Sequence, residues 1–130
     1  MDRKYIKKYV DFLLKYSTYT DPKQIEEYLV GHFMFNTIIV LEDKKGVYAL
    51  CRWNMIDKEN CHVLDLVIRK DMRNRGVMED VIRRGMALFP DVKYLHFERG
   101  YDDGLQKKEL QKYSIGQFLN RERRNENAQV

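Results

Sequence analysis

The stretch from Cys61 to Arg99 constrains the fold more than any other. It opens with the apolar run "CHVLDLVI", passes through the basic segment "RKDMRNRG", and then changes period. From Arg75 onward, Met78, Val81, Ile82, Gly85, Leu88 and Phe89 fall on one helical stripe, which Pro90 ends. "KYLHFER" then reads as a second strand. A strand, a crossover helix of this length and another strand form a βαβ unit, so the two strands are expected to run parallel.

The segment before it reads as antiparallel. "FMFNTIIVLED" and "GVYALCRWNMID" are rich in β-branched and aromatic residues and flank the turn "DKKG", while "DKEN" leads into "CHVLDLVIR". Three consecutive strands with short turns make a meander. Closing the second hairpin around Asp57–Asn60 makes paired positions sum to about 117. That sets Cys51 opposite Leu66 and Cys61 opposite Ile56, so the two thiols are out of register and read as free and buried.

Two helices precede the strands. Ile6, Tyr9, Val10, Leu13 and Tyr16 share one helical face, with lysines on the other. In "TDPKQIEEYLVG", Asp21 suits the N-cap, Pro22 the first helical position, Gln24 a capping-box partner and Gly31 the C-terminal stop. Beyond Gly100, "YDDG" reads as a turn. "LQKKELQKYSI" reads as a strand returning beside "KYLHFER" with "IGQFLNR" as a short closing helix, or else as one helix, which Gly116 disfavours. The expected fold is α/β (α+β): a mixed, mostly antiparallel sheet flanked by helices, with one crossover.

At 130 residues the chain is one domain by size, assigned to residues 1–122, with 123–130 as a polar, flexible tail. A hydrophobic fraction of 44% with six Phe and nine Tyr excludes disorder over most of it. No apolar run approaches the ~18 residues of a membrane span, and Met1–Tyr16 is too charged for a secretory leader, so a cytoplasmic protein is expected. The net charge of +4 favours anionic ligands.

The basic segment can supply one. Orphan N–H groups from about Arg75 to Glu79 and the helix dipole favour an anion, and Gly76 lets it approach the backbone. Arg73 and Arg75 add charge-assisted contacts. "LVIRKDMRNRGVMEDVI" resembles the acyl-coenzyme A motif of the GCN5-related N-acetyltransferase superfamily, a hydrophobic strand followed by Arg/Gln-x-x-Gly-x-Gly/Ala opening a helix. The order of elements is similar to that family's from about Thr20 to Gly100. The resemblance places Arg73 at the first motif position, Asn74 and Arg75 at the variable ones, Gly76 at the glycine, Val77 after it, and Met78 where the family has a second Gly or Ala. It places Leu66, Val67 and Ile68 on the strand that binds the pantetheine arm. Two departures stand out: Met78 is large, and the family's C-terminal segment, with its Asn, its general-acid Tyr and its Gly-Phe, has no counterpart in "YDDGLQKKELQKYSIGQFL".

The resemblance implies transfer of an acetyl group from acetyl-coenzyme A to an amine on a small molecule or peptide, by direct attack, with an oxyanion donor near Val67. On "CHVLDLVIR", alternation sets Val63, Asp65 and Val67 on one face and His62 on the other, making Asp65 the candidate base. Its alternative is a pair with a nearby Arg or a place at the open splay of the sheet. Tyr101 and Tyr113 stand where the family keeps its general acid, and packing is their competing role. His32, His62 and His96 show no metal-ligand spacing, so no metal is expected. Arg83 and Arg84 read as a solvated helix face. Two other classes stay open: a catalytically inactive protein-binding module of this fold, and a nucleic-acid binder using Lys7, Lys8 and Arg121 to Arg124. Edge strands suit a homodimer. The small size resembles reading frames of phages and mobile elements, for which the compartment would be the host cytoplasm.

Overall fold

In a computed structural model, residues 3–99 and 109–128 are described. Two helices come first, α1 (Arg3–Tyr16) and α2 (Pro22–Phe35), followed by β1 (Ile38–Asp43), β2 (Gly46–Met55) and β3 (Asn60–Ile68). A 3₁₀ turn (Lys70–Met72) leads to α3 (Val77–Leu88), and β4 (Tyr94–Arg99), β5 (Glu109–Ser114) and α4 (Ile115–Ala128) complete the order. The sheet runs β1-β2-β3-β4-β5. The crossover makes β3 and β4 parallel, and every other neighbouring pair is antiparallel. The meander, the parallel pair and the returning strand all form as the patterning predicts.

Asp21 caps α2 by accepting from the N–H groups of Lys23 and Gln24, with Pro22 in the first turn. Gln24 does not close the capping box, because its amide donates to Tyr28 Oη at 2.8 Å. Gly31 does not stop the helix either. Helix α2 runs on to Phe35 and ends at Asn36, which takes the left-handed conformation (φ 55°) and donates its N–H to the His32 carbonyl. "FMF" is therefore helical, and β1 starts at Ile38. A mid-helix glycine costs about 1 kcal/mol, and burial of Ile25 and Leu29 on the same helix offsets it.

Each face of the sheet carries its own core. On one, α1 and α2 bury Ile6, Val10, Leu13, Ile25 and Leu29 against Ile38, Val47 and Leu50. On the other, Val77, Val81 and Ile82 of α3 and Phe118 of α4 pack on Cys51, Trp53, Cys61, Val63 and Leu95. Leu88, expected on the buried stripe, is 47% exposed, and Phe89 takes its place with its ring edge-on to Trp53. Helix α4 extends to Ala128, past the Arg123 boundary drawn from composition. "YDDG", Tyr101 included, lies outside the described residues.

The second hairpin departs from the expected register between Arg52 and Trp53. Cys51 faces Leu66 as expected, but Cys61 faces Met55, one place from Ile56. The shift is a β-bulge at Leu64: Arg52 pairs with Asp65, Trp53 with Val63, and Leu64 has no partner on β2. Cys61 and Val63 pack against α3, whereas Val67 packs against α1 and α2. The bulge has interrupted the alternation, so Val63 and Asp65 do not share a face, and His62 and Asp65 do. Both thiols are free and buried, as predicted.

Candidate functional site

The parallel ladder between β3 and β4 is short. It runs from Asn60↔Tyr94 to Val63↔Phe97 and stops where Leu64 bulges. Beyond that point β3 continues beside β2 alone, and a cleft of about 420 Å³ opens between β3 and β4. Val63, Leu66, Met78, Phe97, Tyr113 and Phe118 line it from the side of α3 and α4. His62 and Glu98, on the α1/α2 side, also line it, so the cleft passes through the sheet.

The strand edge along the cleft is specific. Arg69 N–H donates to the Tyr48 carbonyl at 2.8 Å. In an antiparallel pair the residues bonded to the partner alternate, so Val67 and Asp65 also turn their backbone groups to β2. The N–H and C=O groups of Leu66 and Ile68 then face the opening. Arg73 Nε confirms that direction by reaching the Ile68 carbonyl at 3.3 Å.

The basic loop is held at its base. Arg69 is buried, and its guanidinium bonds Asp43 at 2.8 Å and Asp71 at 2.6 Å. Those contacts hold both carboxyls below their usual range and raise the guanidinium still further. After the 3₁₀ turn the chain takes two left-handed positions, Asn74 (φ 62°) and Gly76 (φ 74°). Asn tolerates that conformation, and Gly76 caps α3 with it. The first helical bond is Asp80 N–H to the Gly76 carbonyl at 3.2 Å, so the Val77 and Met78 N–H groups precede the intrahelical ladder. A Cβ on Gly76 would meet nothing within 4 Å, so the space over the turn is open. Arg73, Asn74 and Arg75 are exposed around it. Glu79 and Asp80, whose charges would oppose an anion, pair one turn on with Arg83 at 2.9 Å and Arg84 at 3.2 Å.

Of the predicted strand residues, Leu66 lines the cleft, Ile68 packs into the core beside α3, and Val67 points to the opposite core. Val77 is buried and Met78 reaches the cleft wall. Asp65 is not on that wall. Its oxygens are taken by Arg52 Nε and by the Tyr19 hydroxyl at 2.7 Å, the pairing weighed against its role as a base. Only Val67 flanks Asp65 on its face, because the bulge turns Val63 away.

A polar chain extends from that pair. Arg52 donates to Tyr19 Oη at 2.7 Å and lies over the rings of Tyr19 and Tyr28. Its Nη1 stands 3.3 Å from His32 Nε2, and His32 Nδ1 stands 2.7 Å from Thr37 Oγ1. A guanidinium only donates, so Nε2 accepts and the imidazole proton sits on Nδ1. Burial and Arg52 push the His32 pKa down, and burial, then Asp65, push that of Tyr19 up. Burial is the largest single influence and opposes the Arg52 charge, but the hydrogen bonds and charge attraction of Asp65 and Tyr19 together outweigh it and the net shift is upward. None of these partners was singled out from the sequence. The signal was present, since 52 and 65 satisfy the hairpin sum and Arg52 interrupts an apolar run. His62 and Glu98 carry no such signal.

Tyr113 lies on the cleft wall, donates to Gln111 at 2.6 Å and accepts from Arg121 at 2.6 Å. Lys7 and Lys8, candidates for nucleic-acid contact, pair with Asp11 at 3.9 Å and Glu42 at 2.8 Å. Among the described residues no three His, Cys, Asp or Glu side chains converge as a metal site, and no helix is long and apolar enough to cross a membrane.

No family model matches this sequence, and no curated protein matches it. Solved structures match its fold. The spermidine/spermine N-acetyltransferase SpeG of Vibrio cholerae superposes with a TM-score of 0.56 at 12% identity, over 93% of this chain and 94% of that one. The diaminobutyrate acetyltransferase EctA of Paenibacillus lautus, solved with L-2,4-diaminobutyric acid and coenzyme A, gives 0.60 at 10% identity, over 76% of this chain and 62% of that one. GphF, a GNAT-like decarboxylase solved with isobutyryl-CoA, gives 0.59 at 9%, over 78% and 65%. The chain spans 38% of a further matched chain from Pyrococcus horikoshii. The fold is that of the GCN5-related N-acetyltransferases.

Proposed function

We propose that this chain binds an acyl-coenzyme A along the splay of β3 and β4 and transfers its acyl group, acetyl in the first instance, to an amine. The observation that carries the reading is the cleft through the sheet, with a left-handed glycine turn and a helix N-terminus beside it. The residues present fit such a ligand. The open space over Gly76 and the Val77 and Met78 N–H groups suit a diphosphate, with Arg73, Asn74 and Arg75 around it. Leu66 and Ile68 offer backbone groups to an extended amide-bearing arm, in the manner of an added strand, with Val67 anchoring the strand from behind.

When bound, the acyl-coenzyme A supplies an activated thioester. The chain's part is to hold the thioester carbonyl near the bulge, where the Leu66 N–H, rather than that of Val67, is turned to meet an oxyanion. Asp65, enclosed by Arg52 and Tyr19, fixes the sheet behind the site. The acceptor approaches from the α1/α2 face, where the cleft reaches His62 and Glu98. Both fold neighbours named above as acetyltransferases act on small amines, which supports that acceptor class. The GNAT-like decarboxylase supports acyl-coenzyme A use while showing that the fold hosts other chemistry. A second reading, binding without catalysis, is favoured by Met78 on the cleft wall.

Calorimetric titration with acetyl-coenzyme A tests the reading. Wild-type chain is expected to bind at micromolar affinity, and Gly76→Glu, which sets bulk and charge against the diphosphate, to lose binding while staying folded. Equal affinity in both refutes the assignment. Binding without transfer to any amine favours the second reading.

A further inference from the structure

The bulge at Leu64 gives the α1/α2 face of the sheet two different halves. Helices α1 and α2 cover β1, β2 and the end of β3 around Val67. The other half, over the start of β3 and over β4, carries His62, His96 and Glu98, with Asn54 opposite His62 and Lys112 opposite His96. His62 lies at the apex of the cleft, one residue before the last β3–β4 pair. Its Nε2 stands 3.7 Å from Glu98 Oε1, and its side chain is 18% exposed. His96 is otherwise engaged, with its Nε2 2.9 Å from Asn60 Oδ1.

We propose that His62 is the base that takes a proton from the acceptor ammonium, with Glu98 as the positioning residue that orients the imidazole. The proposal rests on the acyl-coenzyme A reading and adds to it the group that makes the amine nucleophilic. An imidazole is the side chain suited to this exchange near neutral pH. With Nε2 turned to Glu98, Nδ1 is the accepting atom. The ammonium gives one proton to Nδ1, and the freed nitrogen lone pair attacks the thioester carbon. The C–N bond forms and the C–S bond breaks. The second ammonium proton leaves the new C–N centre with the departing sulfur, and the proton on His62 passes to solvent. The groups facing His62 on this side are Asn54 of β2, His96 and Glu98 of β4, Lys112 of β5 and Asp65 beyond the bulge, which Arg52 neutralises.

The test compares two acceptor probes with acetyl-coenzyme A. Spermidine is held as an ammonium at neutral pH, whereas hydroxylamine is largely neutral and has no such proton to lose. His62→Gln is expected to lower transfer to spermidine by about a hundredfold, at least ten times more than transfer to hydroxylamine, with acetyl-coenzyme A affinity retained in calorimetry. Added imidazole restores part of the spermidine activity in His62→Ala. Glu98→Gln lowers kcat with spermidine at nearly unchanged KM and lowers transfer to hydroxylamine far less. Equal losses with both amines mark His62 as structural and overturn the proposal, as does transfer to neither amine by wild-type chain that binds acetyl-coenzyme A. Failure of the wild-type chain to bind acetyl-coenzyme A overturns the cofactor reading, and this inference with it.

Discussion

Val63 and Asp65 are two residues apart on β3 and face opposite sides of the sheet, because Leu64 between them has no partner on β2. One extra residue on a strand reverses every side chain beyond it. Here it turns Asp65 towards Tyr19 and Arg52, Leu66 towards α3 and Val67 towards α1. It also ends the β3–β4 ladder, so the same residue that redirects the side chains opens the cleft.

The Arg52–Asp65 pair is enclosed, with side chains 7% and 8% exposed. Removing only the cation strands a buried carboxylate. Arg52→Met is expected to cost about 3–5 kcal/mol in urea unfolding. Arg52→Met combined with Asp65→Leu should recover most of it, since neither charge is then left alone. A double variant as unstable as the single one would show that the pair is not the source of the loss.

His32 makes the fold acid-sensitive in a defined window. Its pKa is lowered in the folded chain from 6.5, chiefly by burial and next by Arg52, so the unfolded chain takes up the proton first as pH falls. Stability is therefore complete above 6.5 and declines below it, down to the folded value. Melting temperatures followed from neutral pH into the acid range should fall, and His32→Gln should flatten the slope. An unchanged slope in the variant would place the sensitivity elsewhere.

Met78 narrows the cleft from the first turn of α3. Met78→Ala removes that wall at a stability cost of roughly 1–2 kcal/mol, because the side chain is only partly buried. Acetyl-coenzyme A should bind more tightly to the variant. Weaker binding in a folded Met78→Ala chain would make the methionine a contact for the ligand instead of an obstruction.

The two cysteines should be chemically silent while the chain is folded. Both line an apolar cavity of about 40 Å³ between the sheet and α3. Burial pushes Cys61 up to about 11 and Cys51 further. At mildly alkaline pH only about one Cys61 in a thousand is thiolate. A disulfide reagent should therefore label neither residue quickly in native buffer and both in denaturant.

Most of the architecture was legible in residue order. The period change after Arg75, the hairpin turns and the Asp21–Pro22 cap are local signals, and each produced its element. The glycine of the basic loop was legible as an open approach to the backbone, whereas the left-handed turn that Asn74 and Gly76 build was set by the folded loop. Gly31 was misleading, since helix propensity is a weak preference that the burial of Leu29 and the cap at Asn36 override.

The sequence by itself determined the elements, their order, the parallel crossover and the basic glycine turn, since all of these follow from periodicity and backbone preference within a few residues. Only the tertiary structure decided which side chains share the site. The bulge at Leu64 leaves no mark in composition or alternation. It forms because Arg52 can meet Asp65 on one face while Val63 stays buried on the other, and those contacts exist only once the strands and helices have packed together.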